Sequence, residues 1–148
     1  MNLEFAVTGC LVEIDGKFLF VEESKPGREG LFNMPSGHVE NDETLEAATI
    51  RETYEESGYE VELIGLLGIY QSIRPTLNVS GPVFVGKITG GKATPSKDHP
   101  SVVWLTQQEV EKLDAENKLF TKYPPIAIND YLTRGPVPMD IISSVDYR

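Results

Sequence analysis

The 148-residue sequence contains little cysteine and no long apolar run. Cys10 is the single cysteine, so an internal disulfide is excluded, and its apolar surroundings favour a buried, inert thiol over a nucleophile. The first residues, MNLEFAVTG, lack the basic start and apolar core of a signal peptide, and no segment resembles a membrane span. We therefore expect a cytoplasmic protein that does not associate with membranes.

Basic side chains are also scarce. Lys and Arg number 13 against 23 Asp and Glu, which gives a net charge of −10 at pH 7. Long nucleic acid is therefore not an expected partner, because its phosphates require clustered Lys and Arg, and no such stripe occurs. An acidic protein that acts on a polyphosphate needs a local source of positive charge. Bound metal ions would supply it.

The most informative part of the sequence is the segment between Gly37 and Tyr59, GHVENDETLEAATIRETYEESGY. Asp42 can cap a helix start and Gly58 can take the left-handed conformation that ends a helix, so we predict a helix over residues 43–57. The segment follows the spacing G-x5-E-x7-R-E-x2-E-E-x-G, whose fixed positions are Gly37, Glu43, Arg51, Glu52, Glu55, Glu56 and Gly58.

The predicted helix has two chemically different faces, since successive residues are separated by about 100°. The face expected to pack against the core comprises Ala47, Ile50, Tyr54 and Ser57. The other face carries the carboxylates of Glu52, Glu55 and Glu56. Like charges within one turn repel, and a divalent cation removes the conflict; an all-oxygen ligand set suits Mg²⁺ or Mn²⁺. A solvated acidic face is the common alternative, but the fixed glycines, Glu43 and Arg51 favour a metal-binding catalytic helix.

With these residues in place, the segment resembles the Nudix box, the signature of the Nudix hydrolases, which include MutT-like proteins. Thr53 and Tyr59 depart from the pattern at two packing positions. LFNMPSG, residues 31–37, resembles the usual approach to the box, with Ser36 at a common glycine position, and Trp104 resembles the aromatic residue of the last strand. The resemblance implies an α/β fold, an α/β/α sandwich with a mixed sheet and a central catalytic helix.

The resemblance also implies a reaction, the hydrolysis of a nucleoside diphosphate linked to another group X. Water attacks one phosphorus, metal ions neutralise the developing charge, and a carboxylate takes or relays the proton. The implied catalytic residues are Arg51, Glu52, Glu55 and Glu56. The implied metal ligands are the Gly37 carbonyl, Glu52, Glu55, Glu56 and, from the loop before the last strand, Asp98. Arg51 is expected to orient a carboxylate and Glu43 to have a structural role, while His38 and His99 are left out of the metal set.

The rest of the chain predicts a mixed α/β order within one domain, residues 1–148. The expected strands are 5–14 and 17–23 around an Asp15-Gly16 turn, 60–72 with bulges at Gly65 and Gly68, 82–89, and 102–105. Thr106 and Glu109 form a capping box for a helix to about residue 118. A last helix is expected after Pro124 and Pro125.

The sequence leaves several substrates open. The layout from TGCLVEIDGKFLFVEES to RGPVPMDII resembles the NudJ-type phosphatases, which implies nucleoside tri- or diphosphates or thiamine-related pyrophosphates. Pro75 lies 16 residues after Tyr59, a spacing seen in ADP-ribose pyrophosphatases, so an ADP-ribose or nucleotide-sugar pyrophosphatase is an alternative. A Nudix-fold module that binds a nucleotide without cleaving it is another.

Four side chains are expected to bind a small nucleotide or pyrophosphate substrate. Phe32 and Tyr70 can stack on a base or other heteroaromatic ring, and Arg28 and Arg74 can grip a phosphate with the forked guanidinium group. Strand aromatics are more often core residues and loop arginines are more often simply exposed, so that interpretation stays open. The expected state is a monomer or a homodimer.

Overall fold

The computed structural model describes residues 7–75 and 78–146. Residues 5 and 6 of the predicted first strand lie outside these ranges. The elements are β1 (Val7–Ile14), β2 (Lys17–Glu22), β3 (Phe32–Asn33), β4 (Ser36–His38), α1 (Leu45–Ser57), β5 (Tyr59–Ser72), β6 (Val79–Gly91), β7 (Val102–Thr106), α2 (Gln107–Ala115) and α3 (Tyr123–Thr133), followed by a 3₁₀ turn at Met139–Ile141. None of the helices in the described ranges has the length and hydrophobicity needed to cross a membrane.

The strands form one mixed sheet. Its main path is β3-β2-β1-β6-β5, with β4 paired to β1 and β7 paired to β2. Strands β1 and β6 run parallel. The β1–β2 hairpin turns at Asp15 and Gly16, whose φ angles of 51° and 78° suit a tight two-residue turn, so the predicted hairpin is confirmed. Register shifts adjoining Gly65 and Gly68 confirm the expected bulges in β5.

Apolar side chains cover both faces of the sheet, because successive strand residues point to opposite sides. Leu11 of β1 packs in one cluster with Val110 of α2 and Ile128 of α3. Its neighbours Cys10 and Val12 belong to the second cluster, on the side where α1 contacts β1 and β5. Helices therefore cover both faces, and the predicted α/β/α sandwich is confirmed.

Helix α1 begins later than predicted and has a different cap. Thr44 is the N-cap, and its Oγ1 accepts a hydrogen bond from the Ala47 backbone N–H at 3.1 Å. Asp42 has a φ of 62° and belongs to the preceding turn. Gly58 ends the helix as predicted, with a φ of 84° and its N–H donated to the Tyr54 carbonyl.

The packing face of α1 was predicted wrongly except at Ser57. Ala47, Ile50 and Tyr54 are all exposed. The buried residues are Ala48, Thr49, Thr53 and Ser57. The last three donate their hydroxyls to the carbonyls four residues earlier, at 2.7, 2.7 and 2.5 Å, so their polar atoms are satisfied inside the protein. These small side chains let α1 lie close to the sheet.

The other elements follow the prediction with shifted ends. The capping box of α2 is present, with Thr106 and Glu109 bonded reciprocally, but the helix ends at Ala115 rather than near residue 118. Helix α3 begins at Tyr123, before the two prolines, which occupy its first turn. Strand β6 extends beyond the predicted range 82–89 at both ends. The short strands β3 and β4 were not predicted. Strand β3 pairs with β2, and β4 brings the start of the box, Gly37, against α1.

Candidate active site

A cavity of about 500 Å³ lies beside the carboxylate face of α1. This volume is within the range of sites that enclose a small organic ligand. Glu52 and Glu56 of α1, Gly37 of β4 and Tyr70 of β5 contribute to its wall. The cavity therefore joins part of the box to the long strand that follows it.

Gly37 lies in direct contact with the Glu52 carboxyl group. A Cβ atom at position 37 would lie 2.2 Å from Glu52 Cδ and 2.4 and 2.5 Å from its two oxygens. No side chain fits in that space while Glu52 keeps its position. The fixed glycine of the box thus permits a close approach between β4 and α1.

Arg51 connects the acidic residues of the box. Its Nε and Nη2 donate to the two carboxylate oxygens of Glu43 at 2.7 and 3.0 Å. Its Nη1 donates to Glu52 Oε1 at 3.0 Å and to Glu55 Oε2 at 3.1 Å, and Nη2 also reaches the His38 carbonyl at 3.1 Å. The hydrogen bonds from Arg51 lower the pKa of Glu43 to about 2. Arg51 can therefore orient Glu52, while Glu43 anchors Arg51.

Glu56 is more enclosed than Glu52 or Glu55, with a side chain only 12 % exposed. Its Oε1 accepts a hydrogen bond from the Ser36 backbone N–H at 3.0 Å. Burial raises the pKa of Glu56 to about 9, and burial also raises the pKa of Glu52. Two carboxyl groups are thus held where their charged forms are poorly solvated.

Glu23 and His99 complete the surroundings of Glu56, although the sequence analysis assigned neither to the site. His99 Nε2 lies 3.3 Å from Glu23 Oε2 and 3.6 Å from Glu56 Oε2. Burial opposes ionisation of Glu23, but the hydrogen bond from His99 and the positive charges around it, Arg28 and Lys25 included, together lower its pKa. The one available signal for Glu23 was an acidic residue at the end of an otherwise apolar strand segment, KFLFVEE.

The structure does not bring all the predicted metal ligands together. Asp98 is exposed and is not part of the cavity wall, and its backbone carbonyl accepts a hydrogen bond from Ser24 Oγ at 3.1 Å. The next residue, His99, enters the site instead. Glu55 is also outside the cavity wall, with a side chain 55 % exposed, and its contact with the cluster runs through Arg51.

Three of the four predicted substrate-binding residues line the cavity, namely Arg28, Tyr70 and Arg74. Phe32 does not, because it packs against the core and lines a separate cavity of about 340 Å³ next to α2. Phe120 is an aromatic cavity residue that sequence reasoning missed. The Arg28 guanidinium lies 4.7 Å from the centre of its ring.

Cationic and acidic side chains share this cavity. Lys25, Arg28, Arg74 and Lys122 line it together with the buried acids. Opposite charges on one wall suit a ligand that carries anionic groups and a cation at the same time. A polyphosphate with a divalent metal ion has that composition.

The donor chemistry fits such a cation. Glu52 and Glu56 are oxygen donors whose ionisation burial disfavours and a nearby positive charge would favour. Within residues 7–75 and 78–146, no three acidic, histidine or cysteine side chains are already arranged to hold a metal ion. Arg51 holds Glu52, and the Ser36 backbone holds Glu56. Glu52 and Glu56 therefore suit a divalent cation by the type of donor atom, by charge and by burial.

A mixed sheet between helices, with carboxylates of one helix in the wall of a ligand-sized cavity, defines a small α/β protein with one candidate active site in the described residues. The profile of the NUDIX domain family matches residues 3–123. A MutT-like protein of Streptomyces ambofaciens is 35% identical over 111 residues, which cover 75% of this chain and 69% of the relative. Phosphatase NudJ of Escherichia coli K12 is 31% identical over 144 residues, covering 93% and 90%. A NUDIX hydrolase structure from Nitrosomonas europaea superposes with a TM-score of 0.86 at 25% identity, covering 95% and 97%.

The chain belongs to the NUDIX family and is a hydrolase. The predicted resemblance to MutT-like and NudJ-type proteins is confirmed by these matches. The cavity beside α1 is accordingly the candidate active site, since it contains the box residues Gly37, Glu52 and Glu56.

Proposed function

We propose that this Nudix hydrolase cleaves a phosphoanhydride bond in a nucleoside tri- or diphosphate, or a related small pyrophosphate, with Mg²⁺ or Mn²⁺ as cofactor. The observation that carries the proposal is the lining of the cavity, where the largely enclosed carboxyl groups of Glu52 and Glu56 occur together with cationic side chains such as Arg28 and Arg74. The cations suit the phosphate groups of such a substrate, and the carboxylates suit its metal ion.

The groups proposed to hold the metal are Glu52, Glu55, Glu56 and the Gly37 carbonyl. A bound divalent ion polarises phosphate oxygens and makes water a better nucleophile. Glu55 lies outside the cavity wall but is kept in this set because Arg51 Nη1, which also holds Glu52, bonds to its Oε2 at 3.1 Å. Asp98 is left out, because its side chain is exposed and outside the cavity wall, and its backbone carbonyl bonds to Ser24 rather than to the box.

Other residues are assigned to positioning, proton transfer and substrate binding. Arg51 holds the Glu52 carboxylate at 3.0 Å, and we assign Glu52 the additional role of accepting the proton of the attacking water. Glu43 holds Arg51 from the other side and so acts through it. Arg28 and Arg74 bind phosphate oxygens, and the ring of Tyr70 supports the organic part of the substrate.

The similarity to Phosphatase NudJ, which extends over 90% of that protein, supports the NudJ-type substrates that the sequence suggested. The ADP-ribose or nucleotide-sugar alternative has less support, because Pro75, its sequence signal, is absent from the cavity wall. The non-catalytic alternative is also less favoured, since Arg51, Glu52, Glu55 and Glu56 are all retained.

The test is a phosphate-release screen with Mg²⁺ and with Mn²⁺. It covers nucleoside di- and triphosphates, ADP-ribose, nucleotide sugars, dinucleoside polyphosphates and thiamine pyrophosphate, with the wild type and Glu56→Gln. Glutamine keeps an oxygen for the Ser36 N–H, so the fold should persist while kcat falls by about 100-fold or more. Glu111→Gln is the matched control, because Glu111 is an exposed helical glutamate that does not line the cavity.

Each other outcome has a definite meaning. Near-normal turnover by Glu56→Gln would refute its role in metal binding. A strong preference for ADP-ribose would replace the substrate ranking and leave the reaction class intact. A wild type that cleaves no phosphoanhydride with either metal would favour the nucleotide-binding module.

A further inference from the structure

Tyr123 is a cavity residue whose hydroxyl proton has no hydrogen-bond acceptor among the described residues. It is the first residue of α3 and lines the cavity. Its oxygen is fully buried, and no atom of the described residues forms a hydrogen bond of normal geometry with it. The Ser36 hydroxyl accepts a hydrogen bond from Asn33 Nδ2 at 3.1 Å, and its own proton is directed to the Tyr123 oxygen, where it acts to lower the pKa. The Tyr123 proton itself therefore still lacks an acceptor within the described ranges. A buried polar group without a partner is unfavourable and calls for an explanation in a folded protein.

The position of this hydroxyl is fixed by its neighbours. A Cβ at Gly9 of β1 would lie 2.8 Å from it, so the glycine provides the space it occupies. The Tyr123 ring packs against Tyr70, with the ring centres 5.9 Å apart. Tyr70 in turn donates its hydroxyl to Asp130 Oδ2 at 2.7 Å. Because Asp130 is also on α3, both rings are tied to the same helix.

The surroundings identify the kind of atom that the hydroxyl meets. Burial raises the pKa of Tyr123, so the group remains a protonated donor. The missing partner is therefore a hydrogen-bond acceptor near the proposed metal ligands.

We propose that Tyr123 is a further substrate-binding residue, whose hydroxyl donates a hydrogen bond to a non-bridging phosphate oxygen of the substrate. This inference rests on the proposed function, which brings a phosphate next to Glu52 and Glu56. A hydrogen bond to a charged oxygen is stronger than one between neutral groups, and its loss lowers kcat/KM by about 10- to 100-fold.

The first test compares Tyr123→Phe with the matched control Tyr131→Phe. Tyr131 is also on α3, but its hydroxyl donates to Glu13 Oε1 at 3.3 Å and the residue does not line the cavity. We expect Tyr123→Phe to lower kcat/KM by about 10- to 100-fold with a thermal midpoint equal to or above that of the wild type, since the Tyr123 hydroxyl donates no hydrogen bond to the part of the protein that the structure describes. Tyr131→Phe should keep its activity. Normal kcat/KM in Tyr123→Phe would overturn the proposal, and so would a fall in kcat/KM accompanied by a lower thermal midpoint.

The second test measures binding without turnover, with Mg²⁺ present. Methylenediphosphonate represents the phosphate groups alone, and adenosine represents a nucleoside without phosphate. Tyr123→Phe should bind the diphosphonate about 10-fold or more weakly than the wild type and bind adenosine equally well. Unchanged diphosphonate binding, or a loss confined to adenosine, would overturn the assignment. If the wild type cleaved no substrate but Tyr123→Phe lost diphosphonate affinity, the proposed reaction would fail while the phosphate contact stood.

Discussion

Gly37→Ala is the substitution whose effect follows most directly from a distance in the site. The new methyl group would lie 2.2 Å from Glu52 Cδ, whereas ordinary contact begins at 3.4 Å. No positive φ is involved at Gly37, so alanine can take the native backbone conformation. The clash is with the end of a flexible side chain, and the Glu52 carboxyl group should move rather than β4.

The size of the effect can be worked from this overlap. The Glu52 carboxyl must shift by about 1 Å to reach normal contact, and a displacement of that size at a reacting group costs on the order of 100-fold in rate. It also disturbs the 3.0 Å hydrogen bond between Arg51 and Glu52. We therefore expect kcat to fall by about 100-fold while the thermal midpoint changes little, because the carboxyl group is displaced and no cavity is created.

The assay is steady-state hydrolysis of the best substrate, together with a thermal melt. Gly90→Ala is the matched control, because its Cβ would lie 2.4 Å from Glu60 Oε2, also a carboxylate, away from the active-site cavity. It should retain wild-type kcat. If Glu52 is the affected group, Gly37→Ala should add little to Glu52→Gln in the double variant. Full additivity, or normal kcat in Gly37→Ala, would refute the reasoning.

Two further expectations concern groups outside the reaction. Burial raises the pKa of Cys10 to about 12, so about one thiol in 10,000 is ionised at pH 8, and Ellman's reagent should label unfolded protein promptly but hardly label native protein; equally rapid labelling of both would contradict this. Arg51 lowers the folded-state pKa of Glu43 from 4.5 to about 2, so Glu43 contributes stability that is fully present well above pH 4.5 and is lost as the pH falls towards 2. The urea unfolding midpoint of Glu43→Gln should lie below that of the wild type at pH 7, and the two midpoints should converge as the pH falls from 4.5 towards 2. A difference between the two midpoints that stays constant with pH would exclude a stabilising contribution from ionised Glu43.

Local sequence signals predicted the elements that depend on nearby residues. The Asp15-Gly16 turn, the Thr106 and Glu109 capping box and the end of α1 at Gly58 each depend on a few neighbouring atoms. The packing face of α1 could not be predicted in this way. Its buried surface consists of small and hydroxylated residues whose hydroxyl groups bond to the helix itself, and a hydrophobic pattern does not register them. Ile50 and Tyr54 are apolar or aromatic but remain exposed.

In the candidate site, too, residues close in sequence could be predicted and residues brought together by the fold could not. The spacing of the box predicted Glu52 and Glu56 as site residues, and both line one cavity in the structure. Glu23 and His99 are distant in sequence, and pairing of β2 with β7 brings their chain segments together. The choice between Asp98 and His99 depends on a turn in which the His99 carbonyl accepts from Ser96 N–H at 2.8 Å, and such loop geometry has no clear sequence signal.

The most direct test of the central claim is a Mn²⁺ binding titration of the wild type, Glu56→Gln and the control Glu111→Gln. The claim is that the largely enclosed carboxylates of Glu52 and Glu56, beside Gly37, hold the divalent ion used for hydrolysis. The expected result is measurable Mn²⁺ binding by the wild type and Glu111→Gln, with affinity at least about 10-fold lower in Glu56→Gln. Equal Mn²⁺ affinity in all three proteins, or catalytic turnover that survives removal of all divalent ions, would contradict it.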